Sequence, residues 1–287
     1  MLHTLNHCTS KILLPPLLKT RCSLATKTKL LLIAGNLAFL LLTPFFSIAQ
    51  QKMAFKTGEK LKYSVHYGII RGGEAILEVR EGKYDNKTVN HLYLQGRTVG
   101  LANKLYNVND IYQSFTNLKT DLPYMSIRDI NENRYSKYTV QTFDHLTRSD
   151  STIVNSTDTG EVLAPPNSND ILSAFYYLRN RLLWKPIKVG DTLVVDTYFS
   201  DEVYSMKVRF IGYETIKTKL GKINCMKFLP VVITGRVFKN EDDMTVWFTN
   251  DKNFLPVRVK FDIFVGSVYC DLIDYKNLLH PFDSMRN

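Results

Sequence analysis

The chain has 287 residues, with 37 Lys and Arg against 27 Asp and Glu and a formal net charge of +10. Residues 1–49 hold five of the basic residues and no acidic one, so the rest of the chain has 32 basic against 27 acidic residues, a net charge of +5. Basic and acidic residues are interspersed along that part. This excludes a basic nucleic-acid-binding surface and is typical of an ordinary solvated one.

The N-terminus is typical of a secretory leader. Two lysines precede an apolar run over residues 30–46, and the small-x-small sequence Ser47-Ile48-Ala49 follows. We therefore expect cleavage after Ala49 and a mature chain that begins at Gln50. The alternative is an uncleaved single-pass anchor over residues 30–46, although this run is near the lower length limit for a bilayer span.

Alternation of apolar and polar residues with period two dominates residues 50–287, which we interpret as one domain. The pattern predicts ten or so strands with short polar turns, including a hairpin at Arg71-Gly72 and turns at residues 250–253 and at Gly221. We therefore expect a mainly β fold: a single large curved antiparallel sheet, an open or half-closed barrel. The alternating runs are LKYSVHYGII, GEAILEVREG, HLYLQGRTV, DIYQSFTN, YTVQTFDHL, TLVVDTYF, YSMKVRFIGYETI, INCMKFLPVVI, MTVWFTN and LPVRVKFDIFVGSVYCDLIDY.

Two stretches break this alternation. Residues 100–108 are long enough for a turn or two of helix. NDILSAFYYLRNRLLW, residues 169–184, predicts an amphipathic helix from Asp170 to Trp184 with Asn169 or Asp170 as N-cap. We expect this helix to pack on the concave face of the sheet, because a lone helix of its length is marginal in water. Its apolar stripe consists of Ile171, Phe175, Leu178 and Leu182.

The sequence contains no catalytic, cofactor or metal-binding motif. It has no Gly-x-Ser-x-Gly elbow, no phosphate-binding loop and no His-Glu-x-x-His. The histidines of residues 50–287 stand far apart, at His66, His91, His145 and His280. Asp110, Asp170 and Asp201 could face inward, but Asp170 is explained as a helix cap, and Asp110 as the residue that closes the short helix into the next strand. We therefore predict no catalytic residue, metal or cofactor.

Aromatic residues are the more informative feature. A plain core would explain them, and so would a concave apolar cavity with phenol hydroxyls at its mouth. The aromatic residues concerned are Tyr63, Tyr67, Tyr106, Tyr112, Phe115, Phe175, Tyr176 and Tyr177.

The candidate ligand contacts lie on the long helix and on the strand after the short one. They are Tyr176, Tyr177 and Arg179, with Asp110 and Tyr112 as possible partners. The alternative for Arg179 is an ion pair with a surface acid.

Cys225 and Cys270 are the two cysteines after the leader, and each lies inside an apolar strand-like run. We expect both to be free and buried, since a buried thiol packs as a small apolar group. A disulfide between them, which an oxidising compartment permits, is the alternative.

Five blocks between Phe55 and Leu278 resemble a known family. They are FKTGEKLKYSVHYGIIRGGEA, NVNDIYQSF, DILSAFYYLR, GKINCMKFLPVV and VWFTNDKNFLPVRV. Together they are similar to DUF3108, a family of exported proteins of Gram-negative bacteria. The resemblance implies a signal peptide, a periplasmic location and a mostly antiparallel β fold, and it implies no activity, catalytic residue or cofactor. The ending also resembles, more weakly, the periplasmic half-barrels that carry lipoproteins.

These observations predict a periplasmic, non-catalytic protein that binds a lipid or other amphiphile, or an envelope protein, but no nucleic acid. It would contact a membrane only if the leader stayed uncleaved. The alternatives are an enzyme that acts on an envelope glycan or lipid, and a structural interaction protein with a filled barrel. An inward carboxylate pair would favour the first alternative, and the absence of any cavity the second.

Overall fold

A computed structural model describes residues 52–231, 243–263 and 265–286. The predicted leader, its cleavage site and the alternative anchor lie outside these residues. The described part contains 15 strands and two helices. The strands up to the long helix are β1 (Lys60–Tyr67), β2 (Ile70–Tyr84), β3 (Lys87–Thr98), β4 (Asn109–Thr116), β5 (Pro123–Glu132), β6 (Tyr135–Asp144), β7 (Thr152–Ser156) and β8 (Gly160–Ala164).

The remaining strands follow the long helix. They are β9 (Thr192–Phe199), β10 (Glu202–Thr218), β11 (Gly221–Pro230), β12 (Met244–Thr249), β13 (Pro256–Asp262), β14 (Ser267–Lys276) and β15 (Met285–Arg286). The short helix α1 is Gly100–Leu105 and the long helix α2 is Ile171–Trp184.

The strands form one antiparallel sheet in the order β8-β7-β6-β5-β4-β3-β2-β1-β14-β13-β12-β11-β10-β9, with β15 paired to β11. Its two edges approach each other at Asn169, between β8 and α2. The Asn169 amide donates to the Asp196 carbonyl at 2.9 Å, and the Tyr198 amide donates to the Asn169 carbonyl at 2.8 Å. The sheet is therefore a nearly closed barrel, and the predicted fold class is confirmed.

The sequence prediction missed four strands: β5, β7, β8 and the two-residue strand β15. The inward positions of β5, and the last residue of β7, hold polar side chains. These are Ser126, Arg128 and Ser156, which lie opposite polar partners on neighbouring strands. With polar residues on both faces, the alternation that marks the other strands disappears.

The first hairpin turn lies earlier than predicted. Tyr67 pairs with Ile70, so Gly68 and Ile69 form a two-residue turn, and Gly68 has a φ of 54°. A glycine at the first turn position is typical of hairpin turns that need a positive φ there. The predicted turn at Arg71-Gly72 is instead a register shift in β2, opposite Val65 and His66.

Helix α2 begins and ends as predicted. Asp170 is the N-cap, and its carboxylate accepts hydrogen bonds from the Leu172 and Ser173 amides. Its burial differs from the prediction, because Ile171 and Phe175 of the stripe are only partly buried while Tyr176 and Arg179 are fully buried.

The segment from Met53 to Glu59 explains this difference. It packs on the side of α2 that a helix lying on an open sheet would expose to water. The Ala54 amide donates to Asn180 Oδ1 at 2.7 Å, and the Phe55 ring lies edge-on to Tyr176 with 4.7 Å between centroids. The helix is therefore enclosed on several sides.

The antiparallel order gives the barrel two different ends. One end, called here the helix end, holds α2, the segment 53–59 and the loops 117–122 and 250–255. The opposite end, called here the mouth, holds α1 and the hairpins β1–β2, β5–β6, β9–β10 and β13–β14. The largest apolar clusters lie inside the barrel towards the helix end.

Both cysteines are free, as predicted. Cys225 is fully buried, but Cys270 is only partly buried, which corrects the prediction for that residue. Cys225 lies on β11 and Cys270 on β14, with β12 and β13 between them. Three strand spacings amount to about 14 Å, beyond the roughly 7 Å that a disulfide spans between Cα atoms.

Among the described residues, no helix has the length and apolar character needed to cross a membrane.

Candidate functional site

The inward-facing residues of the barrel change from buried to partly exposed towards the mouth. Side chains that lie directly opposite each other in antiparallel strands point to the same face, so the register identifies which residues line the lumen. On six strands a buried residue points into the barrel, and the next inward-pointing residue towards the mouth is only partly buried. These pairs are Tyr63 and Val65, Leu77 and Ala75, Leu92 and Leu94, Leu272 and Cys270, Val246 and Met244, and Val208 and Met206. On these six strands the mouth half of the lumen wall is therefore apolar and partly exposed to solvent.

Small residues widen the lumen on β2 and β3. Ala75 lies opposite Gly96, and Gly96 lies opposite Asp110 on β4. A Cβ atom at Gly96 would meet no heavy atom within 4 Å. Open space therefore lies over this glycine, on the inner face of the barrel.

The wall formed by β4 and β5 is polar. Tyr112 lies opposite Arg128. The Arg128 Nη1 donates to Ser200 Oγ at 2.9 Å, while its Nε is buried without a partner among the described residues. A cavity of about 20 Å³, enough for one water molecule, lies between these side chains and the start of α2.

Asp110 lies on the same wall, nearer the mouth. Its Oδ1 accepts a hydrogen bond from the Asn131 amide at 2.9 Å. Burial raises the pKa of Asp110; the Asn131 amide opposes this, and the neighbouring Glu132 adds to it. Burial also raises the pKa of Tyr112, and the charge of Asp110 raises it further. This wall can therefore offer both hydrogen-bond donors and acceptors.

Helix α2 forms the floor of the lumen with the partly buried side chains of Ile171 and Phe175. Phe175 packs against both large apolar clusters, and its ring stacks on Phe248 with 6.0 Å between centroids. Phe175 is partly exposed, and its contacts with both clusters place it on the inner side of the sheet.

The structure brings only two of the five predicted ligand contacts into this lumen, Asp110 and Tyr112. Tyr176 and Arg179 are 1% and 0% exposed, and Arg179 pairs with the buried Glu59, where a surface acid was the predicted alternative. In this conformation both contact protein groups. Ligand contact by any of the five stays a prediction.

Tyr177, the fifth predicted contact, lies on the other side of α2. It lines a cleft of about 410 Å³ between the loop 117–122, the segment before α2 and strand β9. The volume falls within the range of small-molecule sites, roughly 300 to 1,000 Å³. The amide oxygen Asn169 Oδ1, also part of its lining, is buried without a partner among the described residues. The lining of this cleft is mostly polar, which suits an acyl chain less well than an apolar surface.

The four histidines of the described part do not complete an inward acid–base pair. His66 contacts Asp271 at 3.3 Å, but both flank inward residues and so point outward. The other three bond to Gln113, to Thr152 and the Pro123 carbonyl, and to the Met53 carbonyl. The described residues also contain no cluster of three or more potential metal ligands.

Three important residues were missed by the sequence interpretation. Glu59 is flanked by Gly58 and Lys60 and looks like a surface acid. Arg128 lies in a strand that was not predicted. Gly96 could have been found, because a glycine inside an alternating strand often marks a close approach or a cavity.

The family model described as "Protein of unknown function (DUF3108)" matches residues 62–273, from β1 into β14. The chain belongs to the DUF3108 family. No curated protein matches it.

Solved structures resemble this DUF3108 chain to different degrees. A β-barrel-like protein of the DUF1849 family from Brucella abortus is 9% identical, with a TM-score of 0.51 over 76% of this chain and 96% of that one. A DUF1089 family protein from Pseudomonas aeruginosa is 11% identical, with a TM-score of 0.37 over 73% and 92%. A hypothetical protein from Chlamydia trachomatis is 8% identical, with a TM-score of 0.36 over 81% and 93%. Only the first comparison has a TM-score above 0.5, and at 9% identity it shows the barrel-like fold alone.

Proposed function

We propose that this protein binds an amphiphile without chemical turnover and holds the apolar part of that molecule in the mouth half of the barrel. The observation that carries the proposal is the change from buried to partly exposed apolar side chains along six strands. An empty, solvent-reachable apolar surface is unfavourable by roughly 25 cal/mol per Å², so covering it with a ligand releases free energy.

The chemistry of the walls favours an amphiphile over a purely apolar ligand. Ala75, Leu94 and Phe175 offer apolar contact, whereas Tyr112 and Arg128 on the adjoining strands β4 and β5 offer hydrogen-bond donors. The unpartnered Nε of Arg128 gains a hydrogen bond if an anionic or carbonyl oxygen enters the lumen. The ligand would place its tail along β2 and β3 and its polar head towards β5.

The two alternative functions are less well supported. The contact between His66 and Asp271 points outward, so it does not supply the inward acid–base pair that an enzyme of this kind would need. A fully filled barrel disagrees with the open space at Gly96.

Export to the periplasm is part of the proposal. It rests on the leader sequence, outside the described residues. N-terminal sequencing of the protein from its native host should begin at Gln50. A sequence that begins upstream of Ala49 would contradict cleavage there.

The proposal is tested by mass spectrometry of organic extracts from the protein purified out of its native host. We expect a lipid or other amphiphile in near-stoichiometric amount, and its loss from the Gly96→Phe variant, in which a ring fills the lumen. The Gln95→Phe variant is the control, because Gln95 is adjacent on β3 and points outward. Extracts free of any amphiphile, or equal amounts from both variants, would refute the proposal.

A further inference from the structure

Exposed apolar side chains are concentrated on several separate loops at the mouth. Ile69 and Ile70 on the β1–β2 hairpin are 102% and 66% exposed, and Leu101 and Leu105 on α1 are 72% and 76% exposed. Val265 on the β13–β14 hairpin is 73% exposed. We call these five residues the apolar rim.

The loops of the rim are held together. The Val99 amide, just before α1, donates to the Gly72 carbonyl of β2 at 2.9 Å. Tyr67 donates from its hydroxyl to the Val265 carbonyl at 3.1 Å, which joins the two hairpins. The rim is therefore one arc of the mouth instead of unrelated surface residues.

Basic and aromatic residues accompany these aliphatic ones. Arg71 follows Ile70, and Lys104 precedes Leu105, both exposed. On the neighbouring β5–β6 hairpin, the exposed Arg134 precedes Tyr135, which is 55% exposed. Aliphatic side chains beside basic and tyrosine side chains are the composition of protein surfaces that lie in the interface of an anionic membrane.

From this arrangement we propose that the apolar rim docks the protein on the surface of an anionic lipid bilayer, with the mouth facing the membrane. Ile69 protrudes from a hairpin tip with its whole side chain in solvent, and the other rim residues lie on different loops. Separate tips penetrate a deformable lipid surface readily, whereas a stable protein interface needs a continuous, closely packed patch. The inference deepens the proposed function. Docking would bring the lumen to the membrane that supplies its amphiphile, and this benefit is the only part of the inference that rests on the proposed function.

The chain offers a matched control at the opposite end of the barrel. Leu146, in the loop between β6 and β7, is 90% exposed and belongs to the helix end. Leu146→Ser therefore removes as much exposed apolar surface as a rim substitution, but away from the mouth.

The test is co-sedimentation with vesicles of phosphatidylethanolamine and phosphatidylglycerol, and with vesicles of phosphatidylcholine alone. All variants are purified from the native host with the same N-terminus. We expect the wild type to sediment preferentially with the anionic vesicles. The double variant Ile69→Ser, Leu105→Ser should reduce the partition coefficient at least tenfold. Leu146→Ser should leave it unchanged.

Each of the following results would overturn the docking proposal. They are no sedimentation of the wild type, an equal loss in Leu146→Ser, and a wild-type dimer in solution that the rim substitutions dissociate. The last result would assign the rim to contact between copies of this chain.

Failure of the docking proposal is distinguishable from failure of the proposed function. Gly96→Phe should still sediment with vesicles, because its rim is intact. The rim double variant should still bind a fluorescent fatty acid in vesicle-free solution, because its lumen is intact. If instead Gly96→Phe abolished sedimentation, retention by a lumen ligand would explain the vesicle binding, and the rim would not be the docking surface.

Discussion

Arg179 and Glu59, 120 residues apart in the chain, form a two-pronged ion pair inside the barrel. The Arg179 Nη1 and Nη2 donate to the two Glu59 oxygens at 2.6 and 2.9 Å, and both side chains are 0% exposed. The Arg179 Nε and Nη2 also donate to the Asn253 carbonyl at 3.1 and 3.0 Å. The pair therefore joins helix α2 to the segment before β1 and to the loop between β12 and β13.

Removal of one charge of the Arg179–Glu59 pair should strongly destabilise the folded protein. Glu59→Gln should lower the free energy of unfolding by roughly 3 to 5 kcal/mol, because a buried guanidinium loses its counter-charge. The double variant Glu59→Leu, Arg179→Met should recover part of this loss in urea denaturation. The charges are not coupled if the double variant loses as much free energy of unfolding as Glu59→Leu and Arg179→Met lose together as single variants.

Asp121 should make stability depend on pH. It lies in the loop 117–122, and its Oδ2 accepts a hydrogen bond from Asn180 Nδ2 at 2.6 Å. Burial raises the pKa of Asp121 from 3.8 to about 6, with the Asn180 hydrogen bond opposing the shift. The folded state therefore binds this proton more tightly than the unfolded state. The resulting stabilisation is complete below pH 3.8 and is lost as the pH rises through about 6.

Asp121→Asn tests this directly, since asparagine keeps the shape, can accept the hydrogen bond from Asn180 and tolerates the φ of 59°. The variant should exceed the wild type in stability by roughly 2 kcal/mol at pH 7.5, with the difference vanishing near pH 4. Urea midpoints at both pH values measure it. A constant difference would mean that the carboxyl titrates normally in the folded protein.

Two neighbouring aromatic residues of α2 should respond differently to substitution. Phe175 is partly buried, so Phe175→Ala should cost about 2 kcal/mol, less than the roughly 3 to 5 kcal/mol of a fully buried ring, and should also weaken amphiphile binding. The buried Tyr176 hydroxyl has no partner among the described residues, so Tyr176→Phe should be neutral or stabilising by up to about 1 kcal/mol. Unchanged amphiphile binding by Phe175→Ala would show that helix α2 does not form the floor of the lumen.

The two thiols should differ in accessibility. Burial raises the pKa of each to about 12, so both react slowly. Cys270 faces the lumen and is partly exposed, whereas Cys225 is fully buried. A small neutral methanethiosulfonate should therefore label Cys270 first in the folded protein, and a bound fatty acid should slow this labelling. Equal labelling of Cys225, measured by peptide mass spectrometry, would contradict the predicted accessibility.

The sequence was sufficient to predict the barrel-like sheet and helix α2, because both depend on local periodicity. Asp170 identified the start of the helix through its cap. Strands β7 and β8 were missed because each has only five residues. The polar strand β5 was missed because its inward residues Ser126 and Arg128 bond to polar groups instead of joining an apolar core. In such a strand the inward and outward residues do not differ in hydrophobicity, so the sequence shows no alternation with period two.

The candidate site was harder to predict, because its parts come from distant strands. Tyr176 and Arg179 lie near the apolar stripe of α2 and were expected at a cavity rim. The segment 53–59 covers that side of the helix and makes it interior. Only register and burial together identify Gly96 and Ala75 as lumen residues, since neither has a side chain that suggests binding.

The central claim is that the mouth half of the barrel holds an amphiphile, and a titration with dansylated undecanoic acid tests it most directly. The wild type should bind the probe with increased, blue-shifted fluorescence. Gly96→Phe should weaken binding by at least about tenfold without loss of stability, while Gln95→Phe should bind like the wild type. Equal affinity in Gly96→Phe and the wild type would contradict the account, because the probe would then lie outside the lumen.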